Sequence, residues 1–266
     1  MANLSYALTA NSLYYVTAAK GFREGAGNPP LPGGPVGQQC QSDLAALGLS
    51  SVPPMYDPDQ VWSYELGEKA RLFEGRMIVN GDVYFLNWSN VQTPVNLPCG
   101  LPFVSNAGQA HITGGEVEMK ALLLPHLTWT QNVGYSHAYF TEDVPDAVVM
   151  RGQSLFNVPR WTVNTELRLE CPLLNDLRGT LTATNSYVSS QTDLTYAINT
   201  VSSRDVVGLR VGIEGASWSV ELFADNLLDR HYAVENINLL SFTGPPYNRV
   251  VNNQPRTIGL TLDLKF

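Results

Sequence analysis

Apolar and polar residues alternate with a period of two along the whole chain, in runs separated by turn-forming residues. Between positions 161 and 171, Trp161, Val163, Thr165, Leu167 and Leu169 share one parity, while Thr162, Asn164, Glu166, Arg168 and Glu170 share the other. The same sorting sets Leu127, Trp129, Val133, Tyr135 and Tyr139 against Thr128, Thr130, Asn132, Gly134 and Ser136. Side chains in a strand point to opposite faces in turn, so each run predicts a strand with one apolar and one polar face. Further runs at 3–8, 13–22, 61–73, 76–91, 107–121, 177–187, 207–213, 218–227 and 257–266 bring the total to about eleven strands. Most span about 10 to 15 residues, whereas strands of soluble proteins run about 5 to 6 and a tilted membrane-crossing strand needs about 9 to 11.

The connections alternate in length. Short links at 9–12, 74–76, 124–126, 172–176 and 215–217 separate long ones at 25–60, 92–102, 142–157, 191–203 and 229–252. In a transmembrane barrel the periplasmic turns are short and the outer loops long, so this alternation assigns each link to a side. Trp62, Tyr64, Trp129, Tyr135, Tyr139, Trp161, Tyr187 and Trp218 fall on apolar faces near strand ends, where aromatic girdles meet the lipid boundary. The pattern therefore predicts an all-β, transmembrane, antiparallel up-and-down β-barrel wall of about eleven strands. The rival reading of the aromatics is the core of a soluble β-sandwich.

Composition narrows the function. No apolar run exceeds four residues, as at 121–124, so any membrane crossing is made by strands and not by a helix of about 20 residues. A net charge of -8 with no Lys/Arg cluster argues against a nucleic-acid partner. The first residues lack the basic and apolar regions of a secretory leader. His111, His126, His137 and His231 are scattered over strand, turn and loop positions, no serine sits in a Gly-x-Ser-x-Gly elbow, and no Cys/His spacing suggests zinc. The sequence thus predicts no enzyme, no bound metal and no cofactor. Charges of both signs, such as Glu65, Lys69, Glu116, Glu118, Arg168 and Arg210, lie on the polar, inward face.

The last run ends on an aromatic residue. Ile258, Leu260, Leu262, Leu264 and Phe266 resemble the outer-membrane assembly signal, which implies recognition by the barrel-assembly machinery. Earlier segments resemble, in order, the later strands of TonB-dependent receptors. They are 13–16 through Lys20-Gly21-Phe22-Arg23, then Ser63-Tyr64-Glu65-Leu66-Gly67 with Lys69, then Asn106-Ala107-Gly108 leading to Gly115-Glu116-Val117-Glu118. Val220-Glu221-Leu222-Phe223 into Asp225-Asn226-Leu227-Leu228-Asp229 with Tyr232, and Pro255-Arg256-Thr257-Ile258-Gly259, complete the set.

That resemblance implies a barrel of about 22 strands with a plugged lumen, of which residues 1–266 correspond to the later half. The plug, the TonB-engaging box, the early strands and the signal peptide have no counterpart. It also implies residence in the lipid of a Gram-negative outer membrane. There, outer loops would capture a scarce nutrient such as a ferric siderophore, cobalamin or a glycan, and the TonB complex would drive uptake by rearranging the plug. Tyr56, Phe103, Phe242, Tyr247 and Arg249, in the outer loops, are the candidate substrate contacts. Cys40 and Cys99, both on the outer side of an oxidising compartment, are expected to pair. The chain-entropy model credits their ring of about 60 residues with roughly 4 kcal/mol. Cys171, at a periplasmic strand end, is expected to stay unpaired. A passive porin-like channel is the alternative function, and a soluble all-β binding module is a more distant one.

Overall fold

The computed structural model describes residues 1–195, 197–239 and 247–265. Strands β1 (Ala2–Thr9) and β2 (Ser12–Arg23) form the first hairpin. A long outer connection then holds the short strand β3 (Ala26–Gly27), helix α1 (Gly34–Ala46) and the short strand β4 (Met55–Tyr56). The hairpin of β5 (Asp59–Leu72) and β6 (Met77–Ser89) follows, then the loop hairpin of β7 (Gln92–Asn96) and β8 (Pro102–Asn106). Next come β9 (Gln109–Leu124) and β10 (Leu127–Phe140), a 3-10 turn at Pro145–Ala147, then β11 (Trp161–Pro172) and β12 (Arg178–Val188). Loop strands β13 (Gln191–Thr195) and β14 (Ala197–Val201) lead to β15 (Arg204–Glu214) and β16 (Trp218–Asp225). Finally β17 (Ala233–Leu239) and β18 (Tyr247–Asn252) precede β19 (Thr257–Leu264).

Eleven of these strands form one antiparallel sheet in the order β1-β2-β5-β6-β9-β10-β11-β12-β15-β16-β19, an up-and-down meander that matches the alternation strand for strand. Register keeps the two faces apart across the whole sheet. One row runs Leu4, Val16, Leu66, Val83 and another Trp129, Leu167, Ala183, Leu209, Ala224, Ile258. A slip of one residue would turn every apolar side chain to the polar side, so burial in lipid fixes the register.

Among the described residues no second layer covers the apolar face. Leu66 is 53% exposed, Val83 58%, Leu222 53% and Leu260 65%. Leaving such side chains in water forgoes about 1.5–3 kcal/mol each, so repeated along the described strands this is a lipid-facing wall and not half of a sandwich. No described helix is long and apolar enough to cross a membrane. The turn-side links are tight. Leu173 N–H donates to the Leu177 carbonyl at 2.7 Å, with Asn175 and Asp176 at φ 58° and 61°, a left-handed conformation those two residue types tolerate.

The long links differ from the expectation of plain loops. Helix α1 lies inside the Gly/Pro-rich stretch, with Pro35 in its first turn, where a missing N–H costs nothing. Its buried positions Gly37, Cys40 and Leu44 follow helical spacing. The Trp218-to-Leu227 run stops at Asp225, because Asn226 takes φ 50° and turns the chain.

Candidate functional site

The loop side of the sheet carries a core of its own. Residues from the 24–58, 90–108 and 141–160 connections and the adjoining strand tops form one buried cluster, including Cys40, Leu44, Leu97, Phe103, Phe140 and Val149. A disulfide joins Cys40 on α1 to Cys99 on the β7–β8 hairpin. Beside it, Asp43 Oδ2 accepts the Cys99 N–H at 2.7 Å. Asn28 acts as a piece of strand, its Oδ1 taking the Val104 N–H and its Nδ2 donating to the Val104 carbonyl, each at 2.8 Å. Asn106 bridges likewise, accepting the Asp57 N–H at 2.8 Å and donating to the Asn90 carbonyl at 2.9 Å. Buried backbone groups in these connections thus find partners although the connections are not regular sheet.

A latch anchors this cap to the wall. The Arg23 guanidinium forks onto Asp59, with Nε at 2.9 Å from Oδ2 and Nη2 on the same oxygen, and lies 4.9 Å from the Trp88 ring centroid. Asp59 is 2% exposed and Arg23 52%. Gln92 N–H donates to Asp59 Oδ2 at 3.3 Å, and its side chain reaches the carbonyls of Glu24 and Asp57. One carboxylate therefore ties the tops of β2 and β5 to the start of β7.

The 226–256 connection is closed at its base by a separate polar knot. Asn226, 4% exposed, donates to the carbonyls of Arg230 and Gln254 at 2.9 and 3.0 Å and accepts the Arg230 N–H at 3.1 Å. Asn253 Oδ1 accepts the Tyr232 N–H at 2.7 Å. Asp229 Oδ1 accepts the Arg256 N–H at 3.0 Å, and that amide holds the Asp229 carboxyl below the usual carboxylate range. The Asp-Asn-Leu-Leu-Asp segment is therefore a loop clasp.

On the inward face, Tyr15 donates to Glu65 at 2.6 Å and lies over Gly67, where an added Cβ would sit 2.4 Å from Tyr15 Cζ. Tyr84 over Gly114 and Phe223 over Gly259 repeat the arrangement. Towards β16, Arg210 binds Glu221 at 3.1 Å and Asp225 at 3.0 Å while stacking on Phe223. These rings and paired charges give the wall a stiff, polar inner surface. Among the described residues no group of three or more His, Cys, Asp or Glu is placed to hold a metal ion.

The expected contact residues that the structure describes lie on different elements. Tyr56 is half-buried in β4. Phe103 is 3% exposed inside the cap core, so its ring packs the loops and is not offered to a ligand. Tyr247 and Arg249 lie on β18, and Phe242 lies outside the described residues. Ile258, Leu260, Leu262 and Leu264 lie exposed on the apolar face of edge strand β19, while Phe266 is also outside the described residues. Cys171 carries a free, half-buried thiol. Sequence reading missed Arg23–Asp59, Asn28, Asp43 and Asn226. The only signal for them was the placement of isolated Asp, Asn and Arg residues at strand ends.

Comparison with known proteins gives the wall a family. Residues 1–227 match the family model described as TonB dependent receptor-like, beta-barrel. Among solved structures, the ferric yersiniabactin uptake receptor FyuA from Yersinia pestis superimposes with a TM-score of 0.75 at 18% identity, over 99% of this chain and 36% of that one. The copper transporter OprC gives 0.70 at 14% identity, over 99% and 38%. BauA, the ferric preacinetobactin receptor from Acinetobacter baumannii, gives 0.67 at 16% identity, over 99% and 36%. The chain spans little more than a third of the length of these structures, and at such identities the likeness speaks for the fold. The family consists of outer-membrane transport receptors and not enzymes, and it is to the TonB-dependent receptor β-barrel family that this chain belongs.

Proposed function

We propose that this chain forms the later strands and outer loops of an active-transport receptor for a scarce nutrient such as a ferric siderophore, energised through TonB. The observation that carries the reading is the cap. Three outer connections share one buried core, and a disulfide joins two of them, a rigid platform suited to recognition and needless for a passive pore. Edge strands β1 and β19 each have one neighbour in the sheet, and hydrocarbon cannot satisfy their free backbone groups. In the working receptor they pair with further strands, residues 1–266 being the C-terminal part of the barrel domain, and a plug packs against the polar inner face.

Under this reading Tyr56, Phe242, Tyr247 and Arg249 offer substrate contacts, and the barrel-assembly machinery takes up the β19 end with Phe266. Uptake of radioiron from a panel of ferric siderophores by cells expressing the full receptor tests the proposal. Accumulation is expected to cease when TonB is deleted or the proton gradient is collapsed. Uptake that persists after both treatments would mark a passive channel instead.

A further inference from the structure

Three departures from the apolar pattern of the outward face fall side by side. Gln131, Thr165 and Asn185 stand at outward positions of β10, β11 and β12. The register sets Gln131 opposite Thr165 and Thr165 opposite Asn185. The flanking rows are apolar. On the loop side lie Val133 and Val163, ending in Tyr187, and on the turn side Trp129, Leu167 and Ala183. A polar row is thus enclosed within the lipid-facing wall, inside the ends of its strands.

Bonds within the wall use part of the row's capacity. Thr165 donates to Gln131 Oε1 at 2.8 Å, and Gln131 Nε2 reaches the carbonyls of Asn132 and Asn164 at 3.4 and 3.2 Å. Asn185 gives an amide N–H to Asp205 Oδ1 on β15. An amide side chain has two N–H donors and an oxygen with two lone pairs, and a hydroxyl accepts as well as donates. All three side chains are only half-buried, so hydrogen-bonding capacity remains at the surface of the wall. Acyl chains can satisfy none of it.

Charge and symmetry decide what completes the row. The outward positions of β10, β11 and β12 hold no Asp, Glu, Lys or Arg, and Asp205 at their margin is engaged by Asn185. A two-fold contact here brings no like charges together, whereas on β5 it would set Glu68 against Glu68. Amides and hydroxyls both give and take hydrogen bonds, so the row is complementary to its own image. The area suffices as well. The strands β9, β10, β11, β12 and β15 are neighbours in the sheet. At about 4.8 Å spacing and over about ten residues of about 3.3 Å, such a face offers roughly 800 Å², as much as each partner of a stable pair contributes. Resting on the placement of this wall in an outer membrane, we infer that a second copy of the receptor docks here, with Thr165 near the two-fold axis and Gln131 and Asn185 hydrogen-bonding across it.

The test uses the full receptor, in native outer membranes and in neutral detergent. Val163→Cys in a Cys171→Ser background places a thiol beside the row. Mild oxidation in membranes is expected to give a band of twice the receptor's mass on a non-reducing gel. Sedimentation in detergent should show wild-type dimers. Q131L combined with T165V and N185L should dissociate at least tenfold more readily while keeping the heat-modifiable migration of the barrel. A monomeric wild type with no doubled band in membranes would overturn the proposal even if the triple variant failed to fold. So would undiminished dimerisation of the folded triple variant, or cross-linking at position 163 to other proteins alone. Loss of heat-modifiable migration in the wild type itself would instead strike at the membrane-barrel reading.

Discussion

The wall and the cap solve the same problem with opposite means. In the sheet, large apolar residues such as Leu66 and Leu260 stay more than half exposed, and each strand is held by its neighbours' backbone hydrogen bonds and by lipid. In the cap, Cys40 and Leu44 are fully buried, and Leu97 nearly so, as in a small water-soluble domain. Hydrocarbon replaces a protein core on one side of the membrane boundary, and a small core with a covalent staple replaces lipid on the other. The two regions should therefore fail independently.

Removing the staple is expected to have the largest effect. Cys40→Ser opens a ring of sequence separation 59, a loss of about 4 kcal/mol by chain entropy. Limited proteolysis should then cut within residues 24–58 while the heat-modifiable shift of the barrel persists; a lost shift would mean that wall and cap fold as one unit. Leu44→Ala, at a fully buried helix position, should cost about 3 kcal/mol and show the same selective proteolysis.

The reverse experiment is Leu222→Arg on the lipid face, worth about 2–4 kcal/mol near the bilayer midplane. It should lower the temperature of the heat-modifiable shift and leave the cap resistant to protease. Asp59→Asn attacks the joint between the regions. It weakens the fork with Arg23, and because Arg23 is half exposed and screened the expected cost is about 1–2 kcal/mol, read as faster hydrogen exchange at the Gln92 amide.

The smallest effect concerns pH. The Asp229 carboxyl is depressed by the Arg256 amide, so its contribution is complete above the unfolded-state value near 3.9 and is lost as pH falls through the lower folded value. Protection of the Arg256 amide, corrected for intrinsic exchange, should hold at pH 6 and fall as the carboxyl protonates. In Asp229→Asn it should no longer vary with pH across that range.

The same contrast governs what the sequence disclosed. The wall was legible because lipid on one face and polar surroundings on the other impose strict alternation. The run read at 161–171 proves to be β11 (Trp161–Pro172). The cap was not, because its core is assembled from pieces remote in sequence. Helix α1 shows its helical face only at Gly37, Cys40 and Leu44, amid glycine and proline that read as loop. Phe103 reads from its local sequence as an exposed loop aromatic, yet it is buried because three connections pack on one another. The Arg23–Asp59 latch spans 36 positions, and only the β2–β5 register makes its two ends opposite. Pairing of that kind is a property of topology, which local pattern does not carry.

The covalent link has one more implication, for biogenesis. The closed ring from Cys40 to Cys99 contains the whole of β5 and β6, a complete excursion down through the membrane and back. Both sulfurs lie on the same side, so oxidation before insertion poses no threading obstacle. The hairpin can enter the bilayer as a pre-tied bight whose two ends are already held together. Nascent chains that reach the membrane reduced would have to find that juxtaposition by diffusion, which makes the order of oxidation and insertion a lever on how quickly this part of the wall is completed.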